Sequence, residues 1–170
     1  MMNKKILINL KKIKWIFLDV DGVLTDGRLF YTKDGEEMKV FHVHDGYGIQ
    51  MIRSLGIKVG VISGRGCQAL EMRLAEIGVD YFILNRSDKR KALNEIASLF
   101  GSNVYLSAHI GDDIPDLEIF ENILIKVAVK NAVTEVTNAA DICLSKKGGY
   151  GAVREFCDMV LDARKGVNFD

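Results

Sequence analysis

The run Trp15-Ile16-Phe17-Leu18 carries no charge and ends abruptly at Asp19-Val20-Asp21-Gly22. A short apolar run that stops at carboxylates and a glycine fits a buried strand delivering acids to its carboxyl end, where open α/β sheets hold their ligands. The same design recurs along the chain. Further strands are expected at 58–62, 81–84, 107–110, 123–127 and 142–144, with helical patterns near 46–54, 67–77, 89–100, 114–121, 133–138 and 152–164. This alternation is that of βαβ units and a parallel sheet. The one proline, Pro115, falls in a first helical turn, where proline is tolerated.

With 170 residues, 48% of them hydrophobic, the chain has enough apolar side chain for a single core, and one domain over 1–170 is expected. Basic and acidic residues both number 23, so no cationic excess points to nucleic acid or an anionic membrane surface. Cys67, Cys143 and Cys157 are widely spaced, as expected of reduced thiols in a cytoplasm rather than a disulfide framework. Near the N-terminus the apolar stretch Ile6-Leu7-Ile8 is interrupted at Asn9 and again at Lys11-Lys12. That is too short for a signal-peptide core, so a basic amphipathic lead-in to the first strand and an unexported, cytoplasmic protein are expected.

The Asp19-x-Asp21 pair admits three readings. An EF-hand calcium loop fails, because its fifth, sixth and twelfth positions hold Val23, Leu24 and Phe30 in place of an oxygen ligand, Gly and Glu. A solvated turn remains open, since Asp and Gly are common turn residues. A magnesium-assisted phosphoryl-transfer site, with one carboxylate attacking phosphorus and the other handling protons, needs further parts. Those parts stand at other strand ends. Ser63-Gly64-Arg65 follows Val59 to Ile62, placing a hydroxyl and a glycine turn where a phosphate oxygen can be held. Lys89 opens a helix, where its charge opposes the helix dipole unless an anion is near. His109-Ile110-Gly111-Asp112-Asp113-Ile114-Pro115-Asp116 gathers three acids within five residues, a repulsive cluster that a hard divalent cation would hold ionised.

In order and spacing, these four segments resemble the haloacid dehalogenase superfamily of phosphatases. The resemblance implies an α/β fold with a single Rossmann-like parallel sheet and helices on both faces. It implies Asp19 as nucleophile, Asp21 as the proton carrier, and Ser63 and Lys89 as holders of phosphate oxygens. Mg2+ would be bound by Asp19, Asp112 and the main-chain carbonyl of Asp21, with Asp113 and Asp116 orienting water or Lys89.

Between Asp21 and Ser63 there is room only for a β-hairpin, about 28–43, and one helix; between Lys89 and Asp112 there is room for one helix. No cap domain fits. The hairpin, with arms 28–32 and 38–43 around Asp34-Gly35, carries apolar residues on both faces, which implies burial by another subunit. Segments 19–27, 41–49, 62–65, 110–113 and 148–155 resemble, within that superfamily, the uncapped and tetrameric phosphatases of 3-deoxy-D-manno-octulosonate 8-phosphate (Kdo 8-phosphate), which act in lipopolysaccharide precursor synthesis. The resemblance implies a homotetramer in which His42, Val43, His44, Asp45, Gly46, Arg65, Arg73 and Lys89, together with Asp21, contact a sugar acid phosphate. It implies also that a neighbour's glycine-rich C-terminal segment helps close the site. His44 and His109 depart from the family, which commonly has Arg and often Tyr there. A phosphatase of a nine-carbon, sialic-acid-like 9-phosphate and a non-catalytic oligomeric module are the alternatives. His42 and His44 lack a third nitrogen or sulfur ligand for zinc.

Overall fold

Trp15–Leu18 (β1) is buried throughout because a strand from either side pairs with it and both of its faces are covered. In the computed structural model, which describes residues 3–35 and 37–166 (for Glu37 the backbone only), the main sheet has the order β5-β4-β1-β6-β7-β8. The other strands are β4 (Lys58–Ile62), β5 (Tyr81–Ile83), β6 (Ser107–Gly111), β7 (Ile125–Ala128) and β8 (Ile142–Cys143), all parallel. The strand order reverses on either side of β1, so its carboxyl end is the switch point at which a crevice opens.

Alternate residues of β1 serve two cores. Ile16 and Leu18 join the larger cluster with Leu70 and Leu74 of α3 (Gln68–Ile77), Ile49 and Ile52 of α2 (Val43–Ser54), and Phe156 and Val160 of α7 (Ala152–Lys165). Trp15 and Phe17, stacked at 5.3 Å, face the other side with Ala92, Leu93 and Ile96 of α4 (Lys89–Phe100). Burying each of these large side chains contributes roughly 1.5–3 kcal/mol. The period-2 strand thus fixes which helices lie on which face. The lead-in at Lys4–Lys12 is a helix (α1), capped by Asn3 and docked through Leu10.

The expected strands and helices occur with end shifts of at most three residues, apart from two segments. The expected helix over 114–121 is a 3-10 turn, Ile114–Asp116, followed by the single turn α5 (Leu117–Phe120). Asp113 caps that turn with Pro115 inside it. The hairpin is shorter than expected: β2 (Phe30–Tyr31) pairs with β3 (Glu37–Met38), and the turn residue Glu36 lies outside the described residues. The second arm does not run on to residue 43, because His42 caps α2, its Nδ1 accepting the His44 N–H at 3.2 Å. The alternation of Val40, Phe41 and Val43 looks like a strand, but the cap starts the helix three residues earlier than the apolar period suggests. A short helix, α6 (Thr134–Ala139), lies between β7 and β8.

Candidate active site

The parallel register brings three strand ends to one edge. Leu18 lies opposite Val61 and Ile110, so Asp19 follows β1 where Ser63 follows β4 and Asp112 follows β6. The Asp19 N–H donates to Ile110 O at 3.1 Å and the Ser63 N–H to Ile83 O at 3.0 Å, extending the ladders past the strand ends. Both side chains are buried at the floor of a cavity of about 260 Å³. Asp21, Gly64, Arg65, Lys89, Asp112, Asp113 and Asp116 also line it, as do Arg86 and Ser87.

Lys89 is the hub of the floor. Its Nζ lies 3.0 Å from Asp19 Oδ1 and 2.6 Å from Asp116 Oδ1. Burial disfavours its charge, but the two carboxylates outweigh this and raise its pKa. They supply the anions that make a lysine tenable at a helix start. Asp116 is saturated: Oδ1 also meets His109 Nε2 at 2.7 Å, while Oδ2 accepts the N–H groups of Asp112 at 2.9 Å and Asp113 at 3.3 Å. Burial opposes ionisation of Asp116, yet His109 and Lys89 outweigh it and hold its pKa well below the usual carboxylate range.

Asp112 is the contrary case. Its Oδ1 is buried without a hydrogen-bond partner, and burial followed by the charges of Asp19 and Asp116 pushes its pKa up to about 8. Asp19 is likewise raised, by burial first and then by Asp116, against the pull of Lys89. Carboxylate oxygens of Asp19, Asp112 and Asp116 lie within 4.8 Å of one another. With Asp116 already satisfied, Asp19 and the orphaned oxygen of Asp112 are the pair that a hard, oxygen-seeking dication fits. The close approach depends on Gly22, at φ 91°, because a Cβ there would run into the Asp112 carboxylate.

The Asp21 carboxylate lies apart from that cluster. Oδ1 takes Lys39 Nζ at 2.6 Å, Arg65 Nε stands 3.9 Å from Oδ2, and Oδ2 itself is buried with no hydrogen-bond partner. Arg65 is also bonded to Tyr31 of the hairpin. Lys39, Arg86 and Ser87 were not singled out in the sequence. Arg86 and Ser87 follow the end of β5 much as Ser63 follows β4, a positional signal that was available; Lys39 lies in an irregular arm and gave none.

His42, Val43, His44, Asp45, Gly46 and Arg73 form a second group, which does not line this cavity. Val43 and His44 are exposed. Asp45 is only 1% exposed, its Oδ1 accepting the Arg154 N–H of α7 at 2.7 Å and its Oδ2 buried without a hydrogen-bond partner. Arg73 lies against Gly46, over the Phe41 ring, with Glu76 at 3.0 Å. Arg154 pairs with Asp158 at 2.8 Å. The group connects to the site through the glycine-rich segment after β8. Gly148 rests on the Gly22 carbonyl, the Gly149 N–H donates to Val23 O at 3.0 Å, and Gly151 lies near His42.

Sequence and fold are shared with known proteins. The haloacid dehalogenase-like hydrolase family matches residues 83–156. The 3-deoxy-D-manno-octulosonate 8-phosphate phosphatase KdsC of Haemophilus influenzae is 43% identical over 162 residues, spanning 95% of this chain and 90% of that protein. The cobalt-bound structure of the phosphatase YrbI from the same organism aligns with a TM-score of 0.88 at 42% identity, over 94% of this chain and 93% of that one. The Moraxella catarrhalis 3-deoxy-D-manno-octulosonate 8-phosphate phosphatase, solved with magnesium ion, phosphate ion and a KDO molecule, aligns with a TM-score of 0.91 at 34% identity, over 98% and 95%. Identity of 43% over nine-tenths or more of both chains exceeds what a shared fold requires, and the chain belongs to the Kdo 8-phosphate phosphatase family of haloacid dehalogenase-like hydrolases.

Proposed function

We propose that this chain hydrolyses Kdo 8-phosphate to Kdo and inorganic phosphate with Mg2+ as cofactor, in the cytoplasm, as a step toward lipopolysaccharide. The observation that carries the chemistry is Asp19 at the end of β1, held 3.0 Å from Lys89 and beside the unpartnered carboxylate oxygen of Asp112. The relatives' names carry the substrate.

In this reading an Asp19 oxygen attacks phosphorus, the P–O bond to the sugar breaks, and Asp21 delivers a proton to the departing alkoxide. Asp21 Oδ2, buried beside the cavity and without a hydrogen bond, is the oxygen suited to carry that proton. Asp21 then takes a proton from water as the water oxygen attacks phosphorus of the aspartyl phosphate, releasing phosphate and restoring Asp19. Ser63 and Lys89 hold phosphate oxygens through both steps. Mg2+, held by Asp19, Asp112 and the Asp21 carbonyl, would supply positive charge where negative charge accumulates.

A cavity of about 260 Å³ lies at the small end for a ligand pocket, enough for the phosphoryl end while the sugar acid extends outward. We place that extension against Arg65 and the group formed by His42 to Gly46 with Arg73. The exposed apolar side chains of the hairpin, Phe30, Tyr31, Met38 and Val40, support a homotetramer in which a neighbour covers them. Light scattering at micromolar concentration is expected to give a tetramer, and a monomer would contradict this. Phosphate release in Mg2+ should be much faster from Kdo 8-phosphate than from a sialic acid 9-phosphate, hexose phosphates or an aryl phosphate. Comparable rates on all of them would overturn the substrate assignment, and a faster rate on the nine-carbon acid would replace it.

A further inference from the structure

His109 is fully buried in the middle of the sheet, with its ring edge-on to Phe120 at 5.9 Å and its Nδ1 without a partner. Among the described residues its one polar contact is Nε2 to Asp116 Oδ1, at 2.7 Å. Two such atoms approach so closely only with a proton between them, and an ionised Asp116 has none to give, so the Nε2–H donates. The same oxygen receives Lys89 Nζ at 2.6 Å, and that Nζ reaches on to Asp19 at 3.0 Å. A four-member chain therefore runs from the sheet to the attacking carboxylate.

Asp116 needs both ends of this arrangement. Its Oδ2 is fixed by two main-chain N–H groups of the 112–116 loop, which leaves the direction of Oδ1 to be set by what donates to it. Without His109, Oδ1 would have Lys89 as its sole donor and would draw the ammonium toward itself, away from Asp19. We propose that His109 is a positioning residue, dividing Asp116 Oδ1 between two donors so that Lys89 stays shared between Asp116 and the nucleophile. This rests on the phosphatase reading of Asp19 and Lys89, and extends it to a residue that touches neither substrate nor metal.

The test uses p-nitrophenyl phosphate, which needs only the phosphoryl end of the site, so that an error in the sugar specificity cannot be mistaken for an error here. His109→Phe keeps the ring and removes the donor; His109→Gln keeps an N–H at a similar reach. Thermal melting reports on folding. The expected result is a fall in kcat of roughly tenfold or more for His109→Phe with KM little changed, substantial recovery in His109→Gln, and no further effect of His109→Phe once Lys89 is Met. A kcat for His109→Phe within about twofold of the parent, or equal impairment of the two folded variants, would overturn the assignment. If His109→Phe does not fold, His109→Met replaces it as the donor-free variant with the same criteria. No hydrolysis by the parent protein of either this ester or Kdo 8-phosphate would instead sink the phosphatase reading itself.

Discussion

Lys39 reaches down from the hairpin to Asp21, Nζ to Oδ1 at 2.6 Å, with its side chain almost wholly withdrawn from solvent. Asp21, the proton carrier of the proposed mechanism, is thereby fastened to the hairpin arm, and the tie leaves Oδ2 without a hydrogen bond. Lys39→Met removes the ammonium and keeps much of the length. The expected outcome is a loss of about tenfold in kcat, because an unrestrained Asp21 is less often aimed at the leaving oxygen, with a melting temperature close to the parent's. Steady-state kinetics beside a melting curve checks it; an unchanged kcat would show the tie to be incidental.

Asp112 couples metal, protons and stability. Without a cation its folded pKa is about 8, against about 3.9 for an unfolded aspartate, so between these values folding takes up a proton. Metal-free stability therefore falls as pH rises from 4 toward 8, and the fall is reduced in Asp112→Asn. A dication requires the ionised form, so Mg2+ affinity should rise about tenfold per pH unit below the pKa, where binding displaces the Asp112 proton, and level off above it. At one hundred times its dissociation constant, Mg2+ should stabilise the protein by about 2.7 kcal/mol. Calorimetric titrations at pH 6, 7, 8 and 9 measure this; an affinity independent of pH would exclude Asp112 as the proton-linked ligand.

Gly148 has no left-handed backbone to account for it, yet an added Cβ would overlap the Gly22 carbonyl and approach Val23 N at 2.9 Å. Those are main-chain atoms that cannot swing aside. Gly148→Ala should destabilise by about 1–3 kcal/mol and lower turnover further than stability alone explains, since Gly22 adjoins Asp21 and faces Asp112. Urea unfolding beside activity at a temperature where the variant remains folded separates the two effects.

The sequence discloses strands and acids better than the contacts between distant segments. The apolar runs before Asp19, Ser63 and Asp112 mark buried parallel strands, and parallel pairing then leaves their ends little choice but to meet. Lys89 is conspicuous because a lysine at a helix start asks for an anion, although the anions found are Asp19 and Asp116. Nothing local to Asp45 reveals that its carboxylate accepts the N–H of Arg154, 109 residues away at the start of α7. Lys39 was missed for a similar reason: an irregular arm has no period from which the direction of a side chain can be inferred. His109 was visible only as a departure from the family, and its contact with Asp116 gives that departure a physical meaning.

The central place of β1 has a consequence for the order in which the protein is made. The strand that ends at Asp19 leaves the ribosome before either strand that flanks it, and Trp15 pairs with Lys58 on one side and Ser107 on the other. Until Gly111 is available, an apolar strand has an edge with nothing to bond, a hazard for association with other nascent chains. Chains arrested before residue 107 should thus be cut by protease within 15–18 and held by chaperones, whereas chains released after α7 should resist. Nascent-chain proteolysis reads this directly, and early protection would mean that β1 finds a temporary partner within the first half of the chain.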